Sequence, residues 1–86
     1  MDIKDDQTTI LTFFMREGCH LCEQAESQLL PLQKELGFRV QKIDIDEQTE
    51  YLTQYNADVP VVMLNSTVLF RHFYDEDNIR QALTHG

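Results

Sequence analysis

Apolar and polar positions alternate between two periods along this chain. Thr8 to Met15 is nearly continuous in apolar, β-branched and aromatic residues, the pattern of a central strand covered on both faces. Cys22, Ala25, Leu29, Leu32 and Leu36 then recur at helical spacing, which predicts a helix from about His20 to Leu36. Gly37 stands where a left-handed C′ residue would end that helix. Pro31 lies inside it without changing the phase of the stripe, so a kink is expected there, with the carbonyl of Ser27 lacking its usual donor.

The period returns to that of a strand over Phe38 to Ile45, where Phe38, Val40, Ile43 and Ile45 change phase near Lys42 and predict a bulge. Asp46 is suited to cap a short helix through Tyr55, with Asn56 taking a left-handed conformation at its end. Val59 to Leu64 reads as a strand that tolerates Pro60 because the proline stands at its start. Asn65-Ser66 is a two-residue turn into a partner strand, Thr67 to Phe73. In the last helix Asp75 serves as N-cap, Tyr74 and Ile79 as a hydrophobic staple, and Ile79, Ala82 and Leu83 as the inward face.

The resulting order is β-α-β-α-β-β-α, an α/β fold. The first two strands are joined by a right-handed helical crossover and the last two by a hairpin, so the four-stranded sheet is mixed and flanked by helices. Eighty-six residues with 42% hydrophobic content, three Gly and two Pro suit one small globular domain spanning the chain, 1–86. Asp2 to Gln7 is a polar lead-in without readable chemistry. Seven Lys and Arg against fifteen Asp and Glu give a net charge of −8, which disfavours nucleic acid as a partner. The start lacks a basic and apolar leader, and no apolar run approaches the roughly 18 residues of a membrane span. A soluble, cytoplasmic monomer without membrane association is therefore expected.

Both cysteines lie in Arg16-Glu17-Gly18-Cys19-His20-Leu21-Cys22, at the junction of strand and helix. Cys-x-x-Cys opening a helix suits reversible disulfide chemistry, because unpaired helix N–H groups favour a thiolate at the first sulfur. Cys22 heads the apolar stripe, and Cys19 sits one turn earlier at the helix tip. That placement makes Cys19 the candidate nucleophile and Cys22 the shielded resolving partner. A protonated His20 or a neighbouring Arg16 would support the thiolate, whereas Glu17, Glu23 and Glu26 oppose it, so a moderate lowering of the Cys19 thiol pKa is expected. A four-ligand zinc site needs a second pair, and only His20, His72 and His85 remain as further soft ligands. No metal site is expected.

Taken together, the Phe13-Phe14-Met15 strand end, Cys19-His20-Leu21-Cys22, Val59-Pro60-Val61-Val62 about forty residues later, and the terminal hairpin and helix resemble a glutaredoxin-like protein of the thioredoxin superfamily. The resemblance implies a thioredoxin-like fold and a dithiol-disulfide oxidoreductase with Cys19 and Cys22 as its catalytic pair. It also implies a cis Pro60 beside the disulfide, with Val59 offering its backbone to substrate. Arg16 matches the basic residue that supports the thiolate and meets a glutathione carboxylate, and His20 adds to the substrate-binding set. Implied partners are a disulfide-bearing protein or small molecule and a separate reductant. No tightly bound cofactor is implied, with glutathione as the family's co-substrate.

The chain departs from that pattern where glutaredoxins place Gly-Gly before the last helix. Here Phe70-Arg71-His72-Phe73-Tyr74 carries no glycine, which disfavours glutathione. The dipeptide between the cysteines is His20-Leu21, neither Pro-Tyr nor Gly-Pro, and no tryptophan precedes Cys19. A second reading stays open: the same fold as a binding module without turnover, holding a peptide, a metal or, as a dimer, an iron–sulfur cluster.

Overall fold

The computed structural model describes residues 9–55 and 58–84. Its centre is β1 (Ile10–Met15), whose Leu11 and Phe13 have no exposed surface. α1 (His20–Leu36) leads to β2 (Arg39–Asp44), which pairs with β1 in parallel and in unbroken register from Ile10↔Arg39 to Met15↔Asp44. A 3₁₀ turn (Ile45–Glu47) and α2 (Thr49–Tyr55) follow. β3 (Val61–Leu64) and β4 (Thr67–Arg71) form the hairpin, and α3 (Glu76–Thr84) closes the chain. The sheet order β2-β1-β3-β4, with β3 antiparallel to both neighbours, is the expected four-stranded mixed sheet.

Alternation along β1 explains why helices cover both sides. Phe14 packs on α2, its ring centroid 4.6 Å from that of Tyr55 and 5.0 Å from that of Tyr51. Phe13 points to the other face and lines a groove with Cys22 and Glu26 of α1. There α1 and α3 are tied by Arg80 to Glu35, two contacts of 2.8 Å, and by the Tyr74 hydroxyl donating to the Gln28 carbonyl at 3.4 Å. Cys22, Ala25, Leu29 and Leu32 form the buried stripe of α1, as the spacing predicts. Burying each large apolar side chain of this core contributes about 1.5–3 kcal/mol.

The helix ends follow from local chemistry. Gly37 adopts φ 80° and its N–H donates to the Gln33 carbonyl at 2.8 Å, closing α1. α1 continues across Pro31 through Leu36. Asp75 caps α3 through its carboxylate, which accepts from the Asn78 N–H at 3.1 Å.

Several expectations are corrected. No bulge occurs near Lys42. Val40 and Ile43 lie three positions apart and so face opposite sides of a regular strand in a sheet covered on both faces. The irregularity lies in the hairpin instead, between Val62 and Met63, where Met63 opposes Val68 and Val62 opposes Phe70, so Leu69 is the extra residue. Phe38 precedes β2, and Ile45 follows it in the 3₁₀ turn. The cap of that turn is Asp44, whose carboxylate accepts from the Asp46 N–H at 2.9 Å; Asp46 is thereby left to pair elsewhere. β4 ends at Arg71 because His72, at φ 72°, turns the chain out of the sheet. The proposed strand start at Thr8, the Asn56 cap and His85 lie outside the described residues.

Candidate active site

The site is assembled where β1 ends. Gly18 at φ 78° turns the chain into α1, and Cys19 occupies the N-cap in extended conformation, φ −95° and ψ 107°. At that position a side chain can accept from the free N–H groups of the first helical turn. The Cys19 Sγ does so, receiving the Cys22 N–H at 3.0 Å. The Cys19 carbonyl accepts the Glu23 N–H at 3.1 Å and starts the helical ladder. The two cysteines are joined as a disulfide with their Cα atoms 5.2 Å apart. Cys22 is 3% exposed and belongs to the core, whereas Cys19 is half-buried. The asymmetry read from the apolar stripe is therefore present in the fold.

Val59 and Pro60 are joined by a cis peptide bond, as the resemblance implied. Pro60 is fully buried, and Val59 belongs to the same core cluster as Cys22. The Pro60 carbonyl accepts the His72 N–H at 2.6 Å, which fastens the segment after β4 to the proline. On the other side of Val59, Asp58 pairs with Arg71 at 3.2 Å. His20 opens α1 and is exposed.

Arg16 is held by a partner that no local pattern announces. Its guanidinium makes a two-point contact with the Asp46 carboxylate, Nη2 at 2.8 Å and Nε at 3.3 Å. The fork geometry of Arg on a carboxylate fixes both side chains. The basic residue three positions before Cys19 thus comes with a counter-charge from the 3₁₀ turn. Below it, Lys42 Nζ lies 3.1 and 3.3 Å from the Glu26 carboxylate oxygens. Arg16 and the Glu26–Lys42 pair border one groove together with Glu17, Glu23 and Cys22. Among the described residues no three His, Cys, Asp or Glu side chains gather as a metal site, and no helix is long and apolar enough to cross a membrane.

Where glutaredoxins carry Gly-Gly, the chain makes its left-handed turn with a non-glycine residue, His72. The His72 ring meets Phe73 edge-on, centroids 4.8 Å apart, and Phe70 meets Tyr74 edge-on at 5.6 Å. His72 and Phe73 are both exposed there. Sequence reading missed Asp46 as the partner of Arg16, the Glu26–Lys42 pair and the role of His72. Only the last had a signal, a strand pattern running to Phe73 with no glycine to end it.

Comparison with known proteins agrees with this geometry. A 35% identical relative, the glutaredoxin-like protein YDR286C homolog of Dictyostelium discoideum, matches over 75 residues, 80% of this chain and 69% of that protein. The solution structure of Ne2328 from Nitrosomonas europaea superposes with a TM-score of 0.79 at 34% identity, covering 96% of each chain. Fasciola hepatica thioredoxin shares the fold at a TM-score of 0.58 and 20% identity, covering 94% of this chain and 85% of its own. The model of the Glutaredoxin-like domain (DUF836) matches residues 10–84, and the chain belongs to that glutaredoxin-like family of the thioredoxin superfamily.

Proposed function

We propose that the protein is a dithiol-disulfide oxidoreductase in which Cys19 is the nucleophile and Cys22 the resolving thiol. The observation that carries this reading is the Cys22 N–H donating to the Cys19 sulfur at 3.0 Å, while Cys22 itself is buried. A thiolate at Cys19 accepts that hydrogen bond and lies at the positive end of α1. It attacks one sulfur of a substrate disulfide, forming a mixed disulfide and expelling the other sulfur as a thiolate. Cys22 loses its proton and attacks the Cys19 sulfur, and the second substrate thiolate leaves. The substrate has gained two electrons and the Cys19–Cys22 disulfide remains, to be reduced by an external dithiol or by glutathione.

Arg16 supports the Cys19 thiolate, attenuated by Asp46. Val59 and Pro60 present the backbone along which substrate lies, and His20 borders the entry. Glutathione is a poor substrate here. Its second carboxylate finds no glycine turn, only His72 and Phe73, and the acidic run Asp75-Glu76-Asp77 follows at once. Cytoplasmic residence and a monomeric state fit this reading.

The deciding experiment uses two serine variants. Cys19→Ser abolishes disulfide reduction, and Cys22→Ser accumulates a mixed disulfide at Cys19 that mass spectrometry localises. An adduct on Cys22 in an active Cys19→Ser protein reverses the assignment.

A further inference from the structure

Near the disulfide the flank of α1 toward β2 is closed by its own ion pairs, but further along the helix it is open. Leu30, Pro31, Gln33 and Lys34 of α1 line a groove of about 710 Å³ with Gly37 and the buried Phe38. Leu30 stands 50% exposed there. It follows Glu26 by four residues, one turn along the same side of α1, so the groove continues past the Glu26–Lys42 pair beside β2.

β2 is an edge of the sheet, with β1 as its one strand neighbour among the described residues. The Arg39 N–H donates to the Thr9 carbonyl at 2.8 Å, so Arg39, Gln41 and Ile43 turn their backbone groups to β1, and Val40 and Lys42 turn theirs outward. Six residues in unbroken register keep that outer row regular, without the bulge or proline that commonly blunts an edge. Lysine is another guard of edges, but the Lys42 side chain is drawn onto α1 by Glu26 at 3.1 Å.

Charge on this edge is also unspent. Arg16, Lys42, Arg71 and Arg80 have carboxylate partners, whereas Lys34 and Arg39 have none among the described residues. Lys34 lines the groove, and Arg39, three positions before Lys42, lies on the opposite face of β2. At physiological salt the −8 of the whole chain is screened beyond about 8 Å, which leaves short-range pairing with these two cations to decide.

We propose that the outer edge of β2 receives an extended segment of an acidic partner protein as an added strand, with a large apolar side chain of that segment seated between Leu30 and Phe38. Backbone pairing with Val40 and Lys42 supplies affinity. Alternation along the added strand supplies specificity, with apolar residues on the side of α1 and Asp or Glu on the side of Arg39. Neither cysteine lines this groove and its occupation needs no turnover, so the inference stands or falls apart from the redox reading.

Fluorescein-labelled heptapeptides of alternating Leu and Glu, titrated with the full chain and read by fluorescence anisotropy, test it. Replacing the central Leu by Ser is expected to weaken binding about tenfold, as loss of one buried aliphatic side chain allows. N-methylation of one set of alternate backbone nitrogens abolishes binding and of the other set leaves it, because only one row faces β2. Leu30→Ser removes most of the Leu preference, and Arg39→Glu shifts the preference from Glu to Lys peptides. Equal effects of the two N-methyl sets, equal binding of the Leu and Ser peptides by wild type, or variants that behave as wild type overturn the inference. So does an Ile3→Ser protein that binds the peptide more tightly, which would make the chain's own lead-in the occupant. A mass that rises with protein concentration in sedimentation, and no longer does so in Leu30→Ser, would overturn it in favour of a second copy.

Discussion

The two flanks of α1 begin at the same disulfide and are built on opposite principles. Toward β2 the surface is charged and paired within itself: Arg16 with Asp46, Lys42 with Glu26. Toward the β4–α3 loop the lining is uncharged apart from His72, and an aromatic ring faces solvent. Ion pairs that already satisfy one another leave little for a partner to gain. Water leaves the exposed Phe73 ring, once it is covered, at no electrostatic cost. Charge is paired on one side of the helix, and an aromatic ring is left open to solvent on the other.

Removing what supports both flanks has the largest expected effect. Leu29 is 1% exposed beneath α1, and Leu29→Ala should lose about 2–5 kcal/mol, seen as a lowered urea midpoint at constant slope. Leu30, next in sequence, is 50% exposed, and Leu30→Ala should change stability by less than about 0.5 kcal/mol. Equal losses at the two positions would mean that the stripe under the helix is not the one described.

Breaking the charged flank comes next. Asp46→Asn removes the carboxylate that meets Arg16 at 2.8 Å. In a Cys22→Ser background alkylation of Cys19 should then extend to lower pH, because an Arg16 without its counter-charge favours the thiolate. Stability should fall by no more than about 1 kcal/mol, since the two side chains are 33% and 41% exposed and screened by solvent. An unchanged thiol titration would show that Arg16 does not reach the sulfur electrostatically.

The neutral flank is tested through its turn. His72 holds φ 72°, a conformation that costs a β-branched residue most. His72→Val should destabilise by about 1–2 kcal/mol, whereas His72→Gly should be close to neutral, the relief of strain offset by a more flexible unfolded chain. Thermal unfolding of the two variants separates a conformational requirement from loss of the ring contact with Phe73, which both remove.

Much of the fold was legible in the sequence, and the reasons for the rest are specific. The stripe headed by Cys22, Gly37, the Asn65 turn at φ 57° and the Asp75 cap are local signals, each carried by residues within one turn of each other. The cis bond at Pro60 came from the family pattern, since nothing local distinguishes it. Arg16–Asp46 spans 30 residues and Lys42–Glu26 spans 16, so their pairing exists only once β2 lies beside β1. Asp44 and Asp46 are equivalent as caps on paper, and the end of β2 at Asp44 decides between them. At Lys42 the error was to expect one covered face when the sheet has two.

The smallest effect concerns the far end of α1, where the helix is tied to α3 rather than to either flank. Hydrogen bonding to Arg80 holds the Glu35 carboxyl below its ordinary range, and the pair of Glu35 and Glu76 in turn raises the Arg80 guanidinium. A carboxyl depressed in the folded state contributes stability that is present above its unfolded value of about 4.3 and is lost as pH falls through the folded one. Glu35→Gln should therefore lower the urea midpoint slightly near neutral pH, and the difference from wild type should vanish in acid. Since Glu35 is exposed, added salt should also shrink it. Tyr74, which packs on the same helix through Gln28, works in the opposite direction. Burial first, and then the charge of Glu76, raise its phenol above the usual value. Its contribution is complete below about pH 10 and is lost as pH rises through the folded value, so Tyr74→Phe should flatten the alkaline limb and leave the acid one alone. A variant that moved both limbs together would show that α3 is fastened to α1 by packing, with the ion pair and the phenol as bystanders.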